Sequence, residues 1–213
     1  AKRLGEMKGK LHAKASLALQ GIVDKLLGKT PEDAPPAPLA HGPIPDTTVR
    51  TILAPLYEGE GIVIDETDGK DTLAKAKRTF TGYLSDDFNA WDTDVPSHAT
   101  APQQVTIYEM REDARFAEMF GSLSKNLHAL CLTQSQIERF CQDHRAKLMQ
   151  NGYATFFLFR VGSEHFVVHV YMILGSGLRA GIYRFGSSLV WHAYAARHHV
   201  VVPRLYRSAI QNF

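Results

Sequence analysis

At 213 residues, with 45% hydrophobic and 22% charged side chains and a formal net charge of +2, the chain can bury a substantial core and has neither a disordered nor a strongly basic composition. Its longest apolar runs are strand-sized, so no transmembrane segment is expected; the first residues lack the apolar region of a signal peptide, and two cysteines without Cys-x-x-Cys spacing do not make a disulfide framework. The expectation is a soluble protein of a reducing compartment: cytoplasmic, or inside a virion or other large assembly, and not secreted through a signal peptide.

The charges are segregated. Residues 1–30 hold seven Lys or Arg against Glu6 and Asp24, whereas 58–94 hold ten acids against Lys70, Lys75, Lys77 and Arg78. From Asn151 onward there are six arginines, one acid (Glu164) and no lysine. Arginine's planar fork suits carboxylates, phosphates and interfaces, and pairing with the chain's own acidic stretch is the simpler use of it.

Leu4, Met7, Leu11, Ala15, Ala18, Ile22 and Leu26 form an apolar stripe with Lys2, Lys8, Lys10, Lys14 and Lys25 largely off it, which predicts a basic amphipathic helix over 1–29. Gly5, Gly9 and Gly21 each weaken it by roughly 1 kcal/mol relative to Ala, so it needs a surface to lie on: its own domain, a partner protein, or an anionic membrane or nucleic acid. Thr30 to Asp46 carries six prolines in 17 residues and reads as an extended linker.

The remainder, 47–213, reads as a single domain, with 47–130 as an alternative subdomain. Val49 to Leu56 and Gly61 to Asp65 are strand-like, Asp68-Gly69 a tight turn, and Asp71 to Phe80 a short helix capped by Asp71 or Thr72. An acidic, aromatic loop follows, then a strand over Val105 to Met110 and a helix over Arg111 to Gly121. Thr133 with Gln136 three residues on forms a capping box, and Ile137, Phe140, Cys141, His144 and Leu148 share one face of a helix expected to run to Asn151-Gly152. Beyond it, YATFFLFRV, HFVVHVYMI, LRAGIYRF and LVWHAYAARHHVVV are β-rich segments with Gly/Ser turns, which predict a meander of three or four strands. The expected fold class is α+β: a helix followed by a mostly antiparallel sheet in the C-terminal part, preceded by the N-terminal helix on its linker. Phe140, Phe157, Phe159, Val168, Val170 and Ile182 are the expected core.

Motifs for chemistry are absent. His165 and His169 lie four residues apart on one strand face, roughly 13 Å, too far to share an ion. Gly59-Glu60-Gly61 and Gly69-Lys70-Asp71 fall short of the dinucleotide and phosphate-loop fingerprints, and the Asp65, Asp68, Asp71 series does not fit a calcium loop because Ile64 stands at a ligand position. No metal and no cofactor are expected. A nucleophile pair of Cys131 with His128 or His198 needs a spatial approach that spacing does not supply.

These readings favour a non-enzymatic assembly or protein–protein interaction protein, homo- or hetero-oligomeric, whose arm docks on a neighbouring subunit through Leu4, Met7, Leu11, Ile22 and Leu26. Large particles, virions among them, use such arms. The alternative is a nucleic-acid-binding module using Lys8, Lys10, Lys14, Arg179, Arg184, Arg204 and Arg207, against which a sequence pI near 8.5 counts. A Cys/His-dependent enzyme ranks third.

Overall fold

Alternation of apolar side chains, more than helical periodicity, organises the described residues. The computed structural model describes residues 51–56, 61–150, 153–193 and 198–205; the N-terminal helix, the proline-rich linker, Asn151-Gly152 and Arg207 lie outside them. The sheet belongs to the unit that begins at Thr48. Among the described residues there are eight strands: β1 (Leu53–Pro55), β2 (Ile62–Ile64), β3 (Tyr83–Leu84), β4 (Gln103–Met110), β5 (Thr155–Val161), β6 (Glu164–Ile173), β7 (Gly177–Arg184) and β8 (His199–Pro203). They form one mixed sheet in the order β1-β4-β8-β5-β6-β7-β3, with β2 also paired to β4. The described helices are short: α1 (Asp87–Ala90), α2 (Phe116–Leu123) and α3 (Gln134–Asp143).

This overturns the expected α+β class. Among the described residues sheet predominates over three short helices, and the C-terminal described segment is a strand. The helix expected from Thr133 to Gly152 stops at Asp143, because His144 leaves helical geometry (φ −113°, ψ 35°) and its Nε2 meets the Val63 carbonyl oxygen at 2.9 Å. Leu148 is still buried, but from a turn and not from a continuing helix. The short helix expected over 71–80 shrinks to a single 3-10 turn at Leu73–Lys75, whose N-cap Thr72 makes no side-chain cap bond.

The meander is real for three strands only. β5-β6 and β6-β7 pair antiparallel, but β8 inserts between β4 and β5, antiparallel to the former and parallel to the latter. Val200, Val201 and Val202 are all fully buried. A strand apolar on both faces belongs at the centre of a covered sheet, and the crossover from β7 to β8 supplies the length that a parallel partner needs. Pro55, which has no amide to donate, sits on the edge strand β1 as expected of proline in a sheet.

Each face of the sheet carries its own core. On one, Phe157, Phe159, Val168, Val170 and Ile182 pack with Phe140 of α3, Leu73 and Phe88. On the other, Phe156, Leu158, Val167, Val200 and Val202 pack beneath Phe116, Met119 and Phe120 of α2. All six core residues expected from the sequence are buried.

The cap of α3 is as read: Thr133 Oγ1 accepts from the Gln136 amide at 3.2 Å, and the Thr133 amide donates to Gln136 Oε1 at 2.9 Å. Thr133→Ala is expected to lower stability by about 1 kcal/mol, read as a reduced urea midpoint with an unchanged slope.

Candidate binding cleft

A cleft of about 660 Å³ opens between the extended segment 95–103, the turn leading into α3 and the far end of β5. That volume suits a small ligand or a few residues of a partner. Its walls include His98, His128 and Arg160, and among the described residues no carboxylate lines it. Of the amides that open α3, that of Gln136 is held by Thr133 Oγ1. Arg160 is exposed at the end of β5, directly across the ladder from His165 on β6. His165 turns its carbonyl toward β7, accepting from the Phe185 amide at 3.0 Å, so the Arg160/His165 pair is the closer, non-hydrogen-bonded kind. Burial holds the His165 imidazole below its ordinary value, with the like charges of Arg160 and His128 adding to the effect.

Cys131 also lines the cleft. Its Sγ donates to the Leu127 carbonyl at 3.3 Å, and burial pushes its thiol up to about 11. Cys141 is buried in the α3-side core, where burial raises its pKa further still; both cysteines are free thiols. Neither is poised as a thiolate at neutral pH. His198 is committed elsewhere, its Nδ1 accepting from the Ala154 amide at 3.0 Å.

A second, smaller cleft on the α3 side has the opposite character. Glu66, Asp68, Asp71 and Glu138 line it, with Arg139 as the cation among them. Arg139 is engaged by Asp143 at 2.6 Å and Asp65 at 3.4 Å. Glu138 accepts from Thr79 Oγ1 at 2.7 Å, and burial holds its carboxyl above the usual range.

The arginines singled out from the sequence are not gathered into one surface. Arg184 pairs with Glu164 at 2.7 Å and lies 5.3 Å over the Trp91 ring. Arg179, on the same strand, faces the opposite side of the sheet, 5.8 Å over Tyr83. Arg204 follows β8, its amide donating to the Gln104 carbonyl at 2.8 Å, with three strand spacings (roughly 14 Å) between β8 and β7. The expected pairing of these arginines with the 58–94 acids is not what Arg184 does; its partner is the hairpin's own Glu164. Leu4, Met7, Leu11, Ile22, Leu26, Lys8, Lys10, Lys14 and Arg207 lie outside the described residues.

A third constellation escaped sequence reasoning. His169 lies across β6-β7 from Gly181, its ring stacked on Tyr171 (5.9 Å between centroids, 11° between planes), 5.0 Å from Tyr183 and 6.2 Å from Trp191. His169 Nδ1 and Trp191 Nε1 are buried without a hydrogen-bond partner. The glycine opposite a histidine in an otherwise apolar strand was the available signal. Among the described residues no group of three or more His, Cys, Asp or Glu is placed to hold a metal ion, and no helix is long and apolar enough to cross a membrane. No family model matches the chain, and no curated protein or solved structure does either.

Proposed function

We propose that this chain is a non-enzymatic interaction protein that assembles arm to body, residues 1–29 of one subunit docking on the acidic side of a neighbour. The observation that carries the reading is the cleft of Glu66, Asp68, Asp71 and Glu138, whose charge complements an arm bearing seven Lys or Arg within the first 30 residues. Opposite fields of this kind steer encounter and fix register, while the stripe of Leu4, Met7, Leu11, Ile22 and Leu26 supplies apolar area that a marginal helix gains only on docking. The raised thiol of Cys131 supports a binding role over nucleophilic catalysis. A multisubunit assembly is the setting such an arm suits.

Comparison of the full chain with a version starting at Asp46 tests the reading. The full chain is expected to form oligomers whose mass falls on truncation, and charge reversal at Glu66, Asp68 and Asp71 is expected to weaken them likewise. Equally monomeric proteins would overturn it. Steeply salt-dependent binding of DNA or RNA, lost on truncation, would instead favour the nucleic-acid reading through Lys8, Lys10 and Lys14.

A further inference from the structure

A cleft of about 600 Å³ at the rim of β7 takes no part in the arm docking described above. Its aromatic walls are Trp91, Tyr183 and Phe185, with Glu164, His165 and Arg184 beside them. Trp91 packs with the α3-side core and Tyr183 and Phe185 with the α2-side core, so the cleft straddles the outer edge of the sheet. β3 pairs with β7 only at Arg179 and Ala180, and among the described residues no strand continues along β7 beyond them. Each ring is held from behind: Trp91 stacks on Phe166 at 6.4 Å, Tyr183 packs on Phe116 at 5.7 Å and Phe185 on Phe120 at 6.2 Å. Rings fixed in this way present a preformed apolar surface and lose little freedom when something docks on them. Charge is cancelled within the cleft, because Glu164 and Arg184 pair at 2.7 Å and burial favours the uncharged His165 imidazole. One hydrogen-bonding group is left over: His165 Nε2 is buried and has no partner. These features suit an occupant that is uncharged, apolar in outline and supplied with spare carbonyl oxygens.

A polyproline helix has that chemistry. It is extended before it binds, its carbonyls make no internal hydrogen bonds, and its ridges fit between aromatic rings. The chain carries such a segment: residues 34–45 hold five prolines and no Asp, Glu, Lys or Arg. Pro35 and Pro38 fall one polyproline turn apart, as do Pro36 and Leu39. The seven Lys or Arg of residues 1–30, by contrast, find no net negative charge here. We propose that the Trp91/Tyr183/Phe185 cleft docks the proline-rich segment 34–45 of a second copy of this chain. The choice of a second copy rests on the arm-to-body reading: an arm docked on a neighbour draws its linker across that neighbour's surface, at an effective concentration set by the tether. Pyrrolidine rings pack against the three aromatic walls, and a linker carbonyl accepts from His165 Nε2 when the neutral ring carries its proton there.

Two variants of the full chain test this. Gly186→Lys obstructs the cleft from an exposed position where an added Cβ meets nothing within 4 Å and the backbone is not left-handed, so it is expected to keep the wild-type thermal midpoint. Pro35→Ala, Pro36→Ala and Pro38→Ala together remove the ligand and leave the cleft untouched. A labelled peptide of residues 30–46, titrated by fluorescence anisotropy, is expected to bind the wild type and the linker variant, and to bind Gly186→Lys at least about tenfold more weakly. The same peptide with alanine at every proline is expected to lose at least about tenfold in affinity as well. By sedimentation, each variant alone is expected to assemble more weakly than the wild type, and a mixture of the two to recover part of the loss, because mixing reunites an intact linker with an intact cleft. No peptide binding, equal binding to Gly186→Lys, or equal binding of the alanine peptide would overturn the proposal. No gain on mixing would place the linker in its own chain's cleft and overturn the second-copy assignment. Arm-dependent oligomers without peptide binding would leave the assembly reading standing, whereas peptide binding by a monomeric full chain would sink that reading and the second-copy assignment with it.

Discussion

Acidification from pH 7 to pH 4 is expected to cost the fold roughly 3 kcal/mol through His169 alone. Burial pushes its imidazole from 6.5 down to about 4. The unfolded chain therefore takes up this proton first, so the stability is fully present above pH 6.5 and is lost as the pH falls toward 4. His165, His198 and His199 are each held low, chiefly by burial, and pull in the same direction. Glu138 pulls the other way, because burial raises its carboxyl and makes protonation easier in the folded state. His169→Phe keeps an aromatic ring in the slot and removes the proton site. Urea midpoints between pH 7.5 and pH 4.5 should fall more steeply for the wild type than for this variant; parallel curves would show that His169 is not the group responsible.

Gly181→Ala is expected to destabilise by about 2 to 3 kcal/mol, the upper part of the range for overpacking. An added Cβ would sit 2.9 Å from Nε2 and 3.0 Å from Nδ1 of His169, and closer still to Cε1. The ring has nowhere to go, being boxed in by Tyr171, Tyr183 and Trp191. His169→Ala in the same chain should recover much of the loss by emptying the slot, whereas the two single substitutions, if independent, would simply add. A double-mutant cycle by chemical denaturation distinguishes the two outcomes, and additivity would refute the steric account.

The parts of this fold that were legible in the sequence are those in which local signals and tertiary packing agree. The Thr133/Gln136 box was readable because both partners lie within one turn, and β5, β6 and β7 because their alternation is long and their turns are tight. Helix α3 was read too long because Leu148 sits at a helical spacing from Phe140 and Cys141 yet is buried by a separate turn; burial periodicity does not reveal which backbone delivers the side chain. Whether β8 joined the meander as a fourth strand was left open because pairing partners of a wholly apolar run are chosen by long-range contacts, and a strand of three consecutive buried valines fits between any two neighbours. The cleft was less legible still. Arg160 was only one of six C-terminal arginines, and its placement opposite His165 and beside His128 depends on register and on a turn 32 residues upstream, neither of which a motif encodes.

The position of β8 also bears on how the chain reaches its native state. β4, with β1 and β2 along its edge, has no strand pairing to β5, β6, β7 or β3 except through β8. β1, β2 and β4 come from one stretch of chain and β5, β6 and β7 from another, with β3 joining the second half from upstream; each half has an unsatisfied inner edge, and residues 199–203 close the seam last in order of sequence. During synthesis both inner edges stay open until that stretch has been made, and the rate-limiting event in refolding should be the long-range capture of this strand. A five-residue segment thereby governs how long the nascent protein exposes edges on which another chain can pair.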